Sequence, residues 1–232
     1  MASNFLGEVS EVGAGVGRSM IISSAEMMAR EGVQFTKSMN FRDSGPLPSV
    51  FLVIRREGEF KDVWDADNWV FKYEGKDSTT VEEGKSVDQI LMYSSGSLSD
   101  NGKFFKAAQA FKDGVRKAPL PIQVYEKIAA GAWYDKGLFD LIDAEGVKEG
   151  GRTVYKFHLS PAGSIGFSED SPEHRERMLP TEVKETAWEK GKGRCAQCGS
   201  QLDLYFVSKD GKDTSVQLLC GAHTGHQRRS LL

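Results

Sequence analysis

Ile122–Leu159 reads IQVYEKIAAGAWYDKGLFDLIDAEGVKEGGRTVYKFHL, and this run decides the fold class. β-branched and aromatic residues crowd three stretches, Ile122–Ile128, Gly137–Ile142 and Thr153–Leu159. Such residues suit a half-buried pleated surface, so three strands are predicted. Gly150-Gly151 supplies the left-handed conformations of a hairpin turn before the last of them.

Working outward, Ser49–Arg56 (SVFLVIRR) predicts a strand entering a core, and Asp62–Tyr73 (DVWDADNWVFKY) a turn followed by another strand. Asn101–Lys112 (NGKFFKAAQAFK) places Phe104, Ala107, Ala108 and Phe111 three and four apart, the spacing of an amphipathic helix. A second helix is predicted over Arg18–Arg30, where Met20, Ile21, Ala25, Met27 and Met28 recur at helical spacing and Gly32 marks the stop. Its methionine face reads as core packing. Residues 1–17 read as a loose lead-in and Thr79–Ser86 as a loop. Pro161–Pro172 (PAGSIGFSEDSP) is small, polar and bracketed by prolines, which predicts a linker. A helix over Pro180–Lys190 opens the unit behind it. The chain is therefore read as α+β in two parts, residues 18–160 and 174–232, joined by 161–173.

Of 232 residues, 39% are apolar and 27% charged, the balance of an ordinary folded chain. No apolar run reaches the length of roughly eighteen residues that a membrane helix needs. The N-terminus lacks a basic segment followed by an apolar core, so no secretory signal is expected. Three cysteines make no disulfide framework, and a reducing cytoplasm is the expected compartment. The net charge of -3 divides unevenly: from His174 onward ten Lys and Arg face seven Asp and Glu, against twenty and twenty-six before it. So mild an asymmetry, +3 against -6, is the ordinary pattern of a solvated surface.

Cys195-Ala-Gln-Cys198-Gly lets two thiolates converge on one metal from a tight turn. Cys220-Gly-Ala-His223 supplies a second pair at the same interval, after the apolar run Val216–Leu219. Three Cys and one His make a closed tetrahedral set with no position for water, the structural type of zinc site. A unit of this size has little core, so the metal would contribute folding energy directly. The alternative, buried unpaired cysteines and a surface histidine, leaves unexplained that the pattern uses every cysteine in the chain.

Around those ligands, Arg177-Met-Leu-Pro180, Val183-Lys184, Ala187-Trp188, Gly193–Ser200, Leu204–Phe206 and Val216–Cys220 resemble the ββα-metal finger of HNH endonucleases, over about residues 176 to 229. In that family an Asp-His pair follows the apolar strand, and the His activates water; a later Asn or His helps bind the catalytic metal. Here those positions read Val207, Ser208 and Thr224. Valine neither binds metal nor accepts a proton, and an unactivated serine is a poor base. His226 is a lone spare imidazole. The resemblance thus implies a retained zinc finger with no catalytic residues.

Residues 49–160 are similar to the SET- and RING-associated (SRA) domain, a PUA-like twisted β-barrel with flanking helices that reads modified cytosine in DNA. The similarity rests on Ser49–Val53, Phe60-Lys-Asp62-Val-Trp64, Tyr73-Glu-Gly75, Asp88-Gln89, Asn101-Gly102, Ile122–Lys127, Tyr134–Phe139 and Arg152–Leu159, in that order. With the HNH-like unit behind it, the arrangement resembles bacterial SRA-HNH modification-dependent restriction proteins, which implies a cytoplasmic, nucleoid-associated protein. It also implies double-stranded DNA with modified bases, such as 5-methylcytosine, as partner, and a homodimer as a further expectation.

A modified base must leave the duplex to be read closely, so the pocket needs aromatic faces and an acceptor for the exocyclic amine. The resemblance places Phe60 and Tyr73 as the stacking pair, with Asp62 as the acceptor and Glu74 as runner-up. Core packing is an equal reading for Phe60, Asp62 and Tyr73. For Trp64, Trp69 and Phe71 it is the favoured one. Arg55, Arg56, Lys103, Arg228 and Arg229 are the candidates for phosphate contacts, with Lys61, Lys106 and Arg116 as further cations. Departures from the family include an acidic segment at residues 76–85, which leaves the modification open. Three functions follow: a modified-cytosine binding protein, a living modification-dependent endonuclease, or a scaffold that retains both shells for protein contacts.

Overall fold

The three strands predicted from Ile122–Leu159 form an antiparallel meander, and the rest of the sheet is built on it. The computed structural model describes residues 21–42, 44–54, 63–65, 70–77, 87–162, 179–201, 204–208 and 215–223. In chain order its elements are β1 (Ile21–Ser23), α1 (Ser24–Glu31), β2 (Met39–Asn40), β3 (Ser49–Val53), β4 (Val63–Asp65), β5 (Val70–Glu74) and α2 (Asp100–Lys112). Then follow β6 (Leu120–Ala129), β7 (Ala132–Glu149), β8 (Arg152–Pro161), α3 (Thr181–Gly191), β9 (Leu204–Ser208) and β10 (Val216–Cys220). This is an α+β chain.

The large sheet runs β2-β3-β6-β7-β8-β5-β4, with β3–β6 its parallel pair. β7 is 18 residues long, well beyond the predicted Gly137–Ile142, because it serves two partners. Its first half pairs with β6 and its second with β8. Beside residues 132–134, where β8 no longer reaches, β1 pairs instead, Ile21 with Tyr134. That pairing also corrects the helix predicted from Arg18. Ile21 and Ile22 belong to a strand, and the helix starts at Ser24 behind the Ser23 cap, whose hydroxyl accepts from the Glu26 N–H at 3.1 Å. It ends where expected, at Gly32 with φ 66°.

The sheet curls until strands from its two sides meet. β3 and β5 are separated by three intervening strands, yet the rings of Phe51 and Tyr73 stack at 4.4 Å and the Tyr73 hydroxyl donates to the Leu52 carbonyl at 3.1 Å. Inside the curl lie Phe51, Phe71, Tyr73, Phe139, Phe157 and Leu159, and α2 closes the interior with Phe104, Ala107 and Ala108. A second apolar cluster covers the other face of β3 and β6, where Met27 of α1 meets Val50, Leu52, Tyr125 and Trp133.

The third cluster joins the two parts of the chain. Ile128, Ala132 and Tyr134 of the sheet share one apolar core with Leu179, Ala187, Cys195, Leu204, Phe206, Leu218 and Cys220. The Tyr134 and Phe206 rings meet edge-on at 5.6 Å. β9 and β10 form a separate two-stranded ladder, Leu204 opposite Cys220. Residues 163–173 of the expected linker lie outside the described residues.

Candidate functional site

Helix α3 ends in a left-handed turn at Lys192 and Gly193 that delivers the chain to Cys195. The Cys195–Ser200 loop then folds on itself, with the Gly199 N–H donating to the Cys195 carbonyl and the Cys195 N–H to the Ser200 carbonyl, each at 2.8 Å. A further bond from the Ala196 N–H to the Leu218 carbonyl, also 2.8 Å, holds this knuckle against β10. Cys220 closes β10, and the turn after it, with the His223 N–H on the Cys220 carbonyl at 2.8 Å, brings His223 round.

The four expected ligands therefore converge: their donor atoms all lie within 4.8 Å of one another. Cys195 Sγ is 3.6 Å from His223 Nδ1, and Cys198 Sγ is 3.6 Å from Cys220 Sγ. A tetrahedron with the usual zinc bond lengths separates sulfurs by about 3.7 Å and sulfur from nitrogen by about 3.6 Å. The donor set and its spacing fit a four-coordinate metal ion, and these residues could hold one. The electrostatics agree. Burial pushes the Cys195 thiol up, but N–H groups of Cys198, Cys220 and Gln197, with His223, outweigh it and bring the thiol down to about 6. Cys220 is raised, by burial and by the neighbouring Cys198 sulfur.

Behind the metal ligands, the seam between the two parts of the chain holds a buried charge cluster. Glu126 on β6 accepts from Lys184 and Thr181 of α3 and, at 3.4 Å, from Lys136 of β7. Lys184 is 0% exposed and its ammonium lies 4.4 Å from the centre of the Tyr134 ring. Lys136 is the extra residue of a bulge between the Val124–Gly137 and Tyr125–Asp135 pairs, and Gly137 takes φ 84° there. The bulge turns the lysine inward to Glu126 and the face of Phe71. Burial opposes ionisation of Glu126, yet Lys136 and Lys184 hold it down at about 2. Burial, with Lys136 nearby, lowers Lys184 to about 7 despite its bond to Glu126. Sequence reasoning missed this cluster. Its signal was present, since Thr181, Lys184 and Ala187 recur every three residues on the buried stripe of α3.

The residues expected around a flipped base are placed as follows. Tyr73 lies in the core of the curl, 4% exposed, against Phe51. Glu74 is buried at the β5–β8 edge, where Lys156 donates to it at 2.6 Å and Arg152 at 3.4 Å. The turn that follows is held tightly. Asn101 accepts from the Lys76 N–H and donates to the Lys76 carbonyl, and Gln89 donates to the Gly75 carbonyl. Phe60 and Asp62 lie outside the described residues, so the described part brings together Tyr73 and Glu74 without their expected partners. Arg55, Arg56, Arg228, Arg229, Thr224 and His226 are also outside. Lys103 sits on α2 without a carboxylate partner among the described residues. Val207 and Ser208 are the last two residues of β9, opposite Gln217 and Val216.

No protein-family model and no curated protein matches the chain. Among solved structures, the SRA domain of SUVH5 with fully methylated CG DNA is 20% identical at a TM-score of 0.44, over 65% of this chain and 91% of that one. The SUVH5 SRA domain bound to fully hydroxymethylated CG DNA gives 19% and 0.44, over 65% and 91%. KRYPTONITE in complex with mCHH DNA, an H3(1-15) peptide and SAH gives 15% and 0.42, over 66% and 33%. At this identity and TM-score no residue role passes from those chains to this one.

Proposed function

We propose that this chain binds double-stranded DNA at a modified cytosine, that the curled sheet is the reading part, and that the Cys/His cluster is a structural zinc site on an HNH-like finger without its catalytic pair. One observation carries the reading. The separate segments that bear the SRA-like residues, Ser49–Val53, Tyr73-Glu74, Ile122–Lys127, Tyr134–Phe139 and Arg152–Leu159, assemble as neighbouring strands of one curled sheet. Segments spread over more than a hundred residues thus lie side by side, in the order β3-β6-β7-β8-β5. β4, which follows Phe60 and Asp62 directly, is the end strand of that sheet among the described residues. The flipped base is assigned to Phe60 and Asp62, while Tyr73, buried against Phe51, serves as core rather than as an open stacking face. Zinc is supported by the closed Cys3His donor set, which leaves no coordination position for a reacting water. The strand end that would carry an HNH enzyme's Asp-His holds Val207 and Ser208 instead.

The test is a titration of the full chain against matched duplexes carrying cytosine, 5-methylcytosine or 5-hydroxymethylcytosine at one site, with Mg²⁺ or Mn²⁺ present. Preference of about tenfold or more for a modified duplex, without cleavage, is expected. Equal affinity for all three duplexes sinks the reading, and metal-dependent cleavage assigns the chain to the nucleases. Asp62→Ala should remove the preference while leaving weak, salt-sensitive binding.

A further inference from the structure

Most cations of the described sheet domain are spoken for. Lys37 is paired with Asp100, Arg42 with Glu31, Lys112 with Asp143, and Lys156 with Glu74. Lys76, Lys103, Lys106 and Arg116 have no carboxylate partner among the described residues; Arg116 does donate to the Ala118 carbonyl. Lys117 and Lys127 share that state, but these four line one run of hollows along α2.

The largest hollow, ≈ 690 Å³, is floored by Ala107, Ala110 and Phe41 and rimmed by Lys103, Lys106 and Arg116. Small alanines on this face of α2 are what make it a trough. It shares Phe41 and Lys103 with a second hollow of ≈ 260 Å³ that also holds Lys37 and Arg42. That one shares Asp100 with a third, ≈ 50 Å³, bordered by Lys76, Asn101 and Tyr93. The two acids along the way are already engaged, Asp100 by Lys37 and Asp77 by Arg152. Among the described residues the track is therefore positive over its length, although the chain as a whole carries -3.

Its far end carries an aromatic on a braced support. Tyr93 is 50% exposed and Met92 55%, on a tight loop closed by the Tyr93 N–H on the Ser97 carbonyl at 2.9 Å and the Ser99 N–H on the Leu91 carbonyl at 2.9 Å. A row of cations without carboxylate partners among the described residues, leading to a held, exposed ring, suits a phosphodiester chain and one of its bases or sugars.

Resting on the reading of the chain as a DNA-binding protein, we propose that the DNA backbone runs along α2, with Lys103, Lys106 and Arg116 on phosphates and Tyr93 against a base or sugar at the end of the run.

The experiment compares the full-length wild type with Lys103→Gln/Lys106→Gln/Arg116→Gln, the charge-keeping Lys103→Arg/Lys106→Arg, and Tyr93→Ala. Binding to the modified and plain duplexes is measured by anisotropy over a range of salt, with circular dichroism melts as the folding check. The triple variant should lower the salt slope by about 2.7, three phosphates at about 0.9 each, and weaken both duplexes equally so that their ratio is kept. The arginine variant should keep the wild-type slope. Tyr93→Ala should weaken binding about five- to a hundredfold with an unchanged slope. A wild type that discriminates between duplexes while every variant keeps its slope and affinity overturns this track alone. A wild type that binds neither duplex removes the DNA reading and the track together. Binding of polyglutamate that the triple variant abolishes, with DNA binding intact, assigns the trough to an acidic protein segment and likewise overturns the proposal.

Discussion

The ammonium of Lys184, on the helix before the metal ligands, donates to the carboxylate of Glu126 in the middle of the large sheet, with neither residue more than 2% exposed. An ion pair taken this far out of water is weak evidence of net stabilisation, but removing one partner strands the other. Glu126→Gln takes the carboxylate from the fully buried Lys184, and a loss of about 3–5 kcal/mol is expected in urea melts. Lys184→Met keeps the Glu126–Lys136 pair and removes a cation whose charge burial disfavours, so it should cost clearly less. Equal losses from the two changes would show that charge balance is not what governs the seam.

The same pair sets a pH dependence whose sign is fixed. Lys184 is lowered to about 7 from 10.5, so between those values the unfolded chain holds a proton that the folded chain does not. Stability must then rise with pH across that window. Glu126, lowered to about 2 from 4.5, acts at the other end: its contribution is present above 4.5 and is lost as pH falls toward 2. Urea midpoints taken at intervals from pH 7 to 9.5 should climb in the wild type and climb less in Lys184→Met. Identical profiles would remove Lys184 as the source.

Metal removal should be felt in both parts of the chain. Cys195 and Cys220 share their apolar cluster with Ile128, Ala132 and Tyr134 of the large sheet. Structural zinc contributes on the order of 10 kcal/mol to small fingers. Elemental analysis should find one zinc per chain, and chelation or Cys198→Ser should expose the amides of residues 179–223 to hydrogen exchange first. Protection at residues 128–134 should then fall as well, because their covering layer is gone. A melt unaltered by strong chelator would contradict a structural metal.

The strands were legible because their residues are β-branched and aromatic, with Gly150-Gly151 turning one into the next, and Gly32 likewise marks the end of α1; all three glycines have positive φ. The Cys3His cluster was legible because the spacing of its members is itself a geometric statement. What could not be read is what depends on distant parts of the chain. β3 pairs in parallel with β6, some seventy residues later, and that pairing is what lets the sheet curl. The curl in turn decides that Tyr73 faces Phe51, a direction that the alternation of Phe71 and Tyr73 leaves open. The burial of Lys184 was hidden for a related reason. A lysine on a helix reads as a solvated face until a carboxylate arrives from another element, here Glu126 of β6.

Tyr73 can be separated from a base-contacting role by how it fails. Its hydroxyl donates to the Leu52 carbonyl inside the core, so Tyr73→Phe should cost about 1 kcal/mol, the usual net worth of one such bond. Tyr73→Ala empties the space beside Phe51 and should cost about 3–5 kcal/mol. If Tyr73 acts only as wall, the phenylalanine variant keeps the wild-type ratio of affinities for modified and plain duplexes. A ratio that collapses at unchanged stability would place the hydroxyl on the base.

Gly102 gives the sharpest check on how α2 is seated. An alanine inside a helix ordinarily stabilises it relative to glycine by about 1 kcal/mol. At this position a Cβ would come within 1.9 Å of the Leu91 carbonyl oxygen, a backbone atom that has no flexible end to swing aside. The same turn is held by the Ser99 hydroxyl, which accepts from the Gly102 N–H at 3.0 Å and donates to the Ile90 carbonyl at 2.6 Å. The helix start is thus clamped to residues 90–91 from two sides, and the clash cannot be relieved without giving up the cap. Gly102→Ala should therefore reverse the ordinary sign and destabilise by about 1–3 kcal/mol or more. A urea midpoint that moves upward instead would mean that the first turn of α2 does not sit on Leu91, and the trough along that helix would have to be redrawn with it.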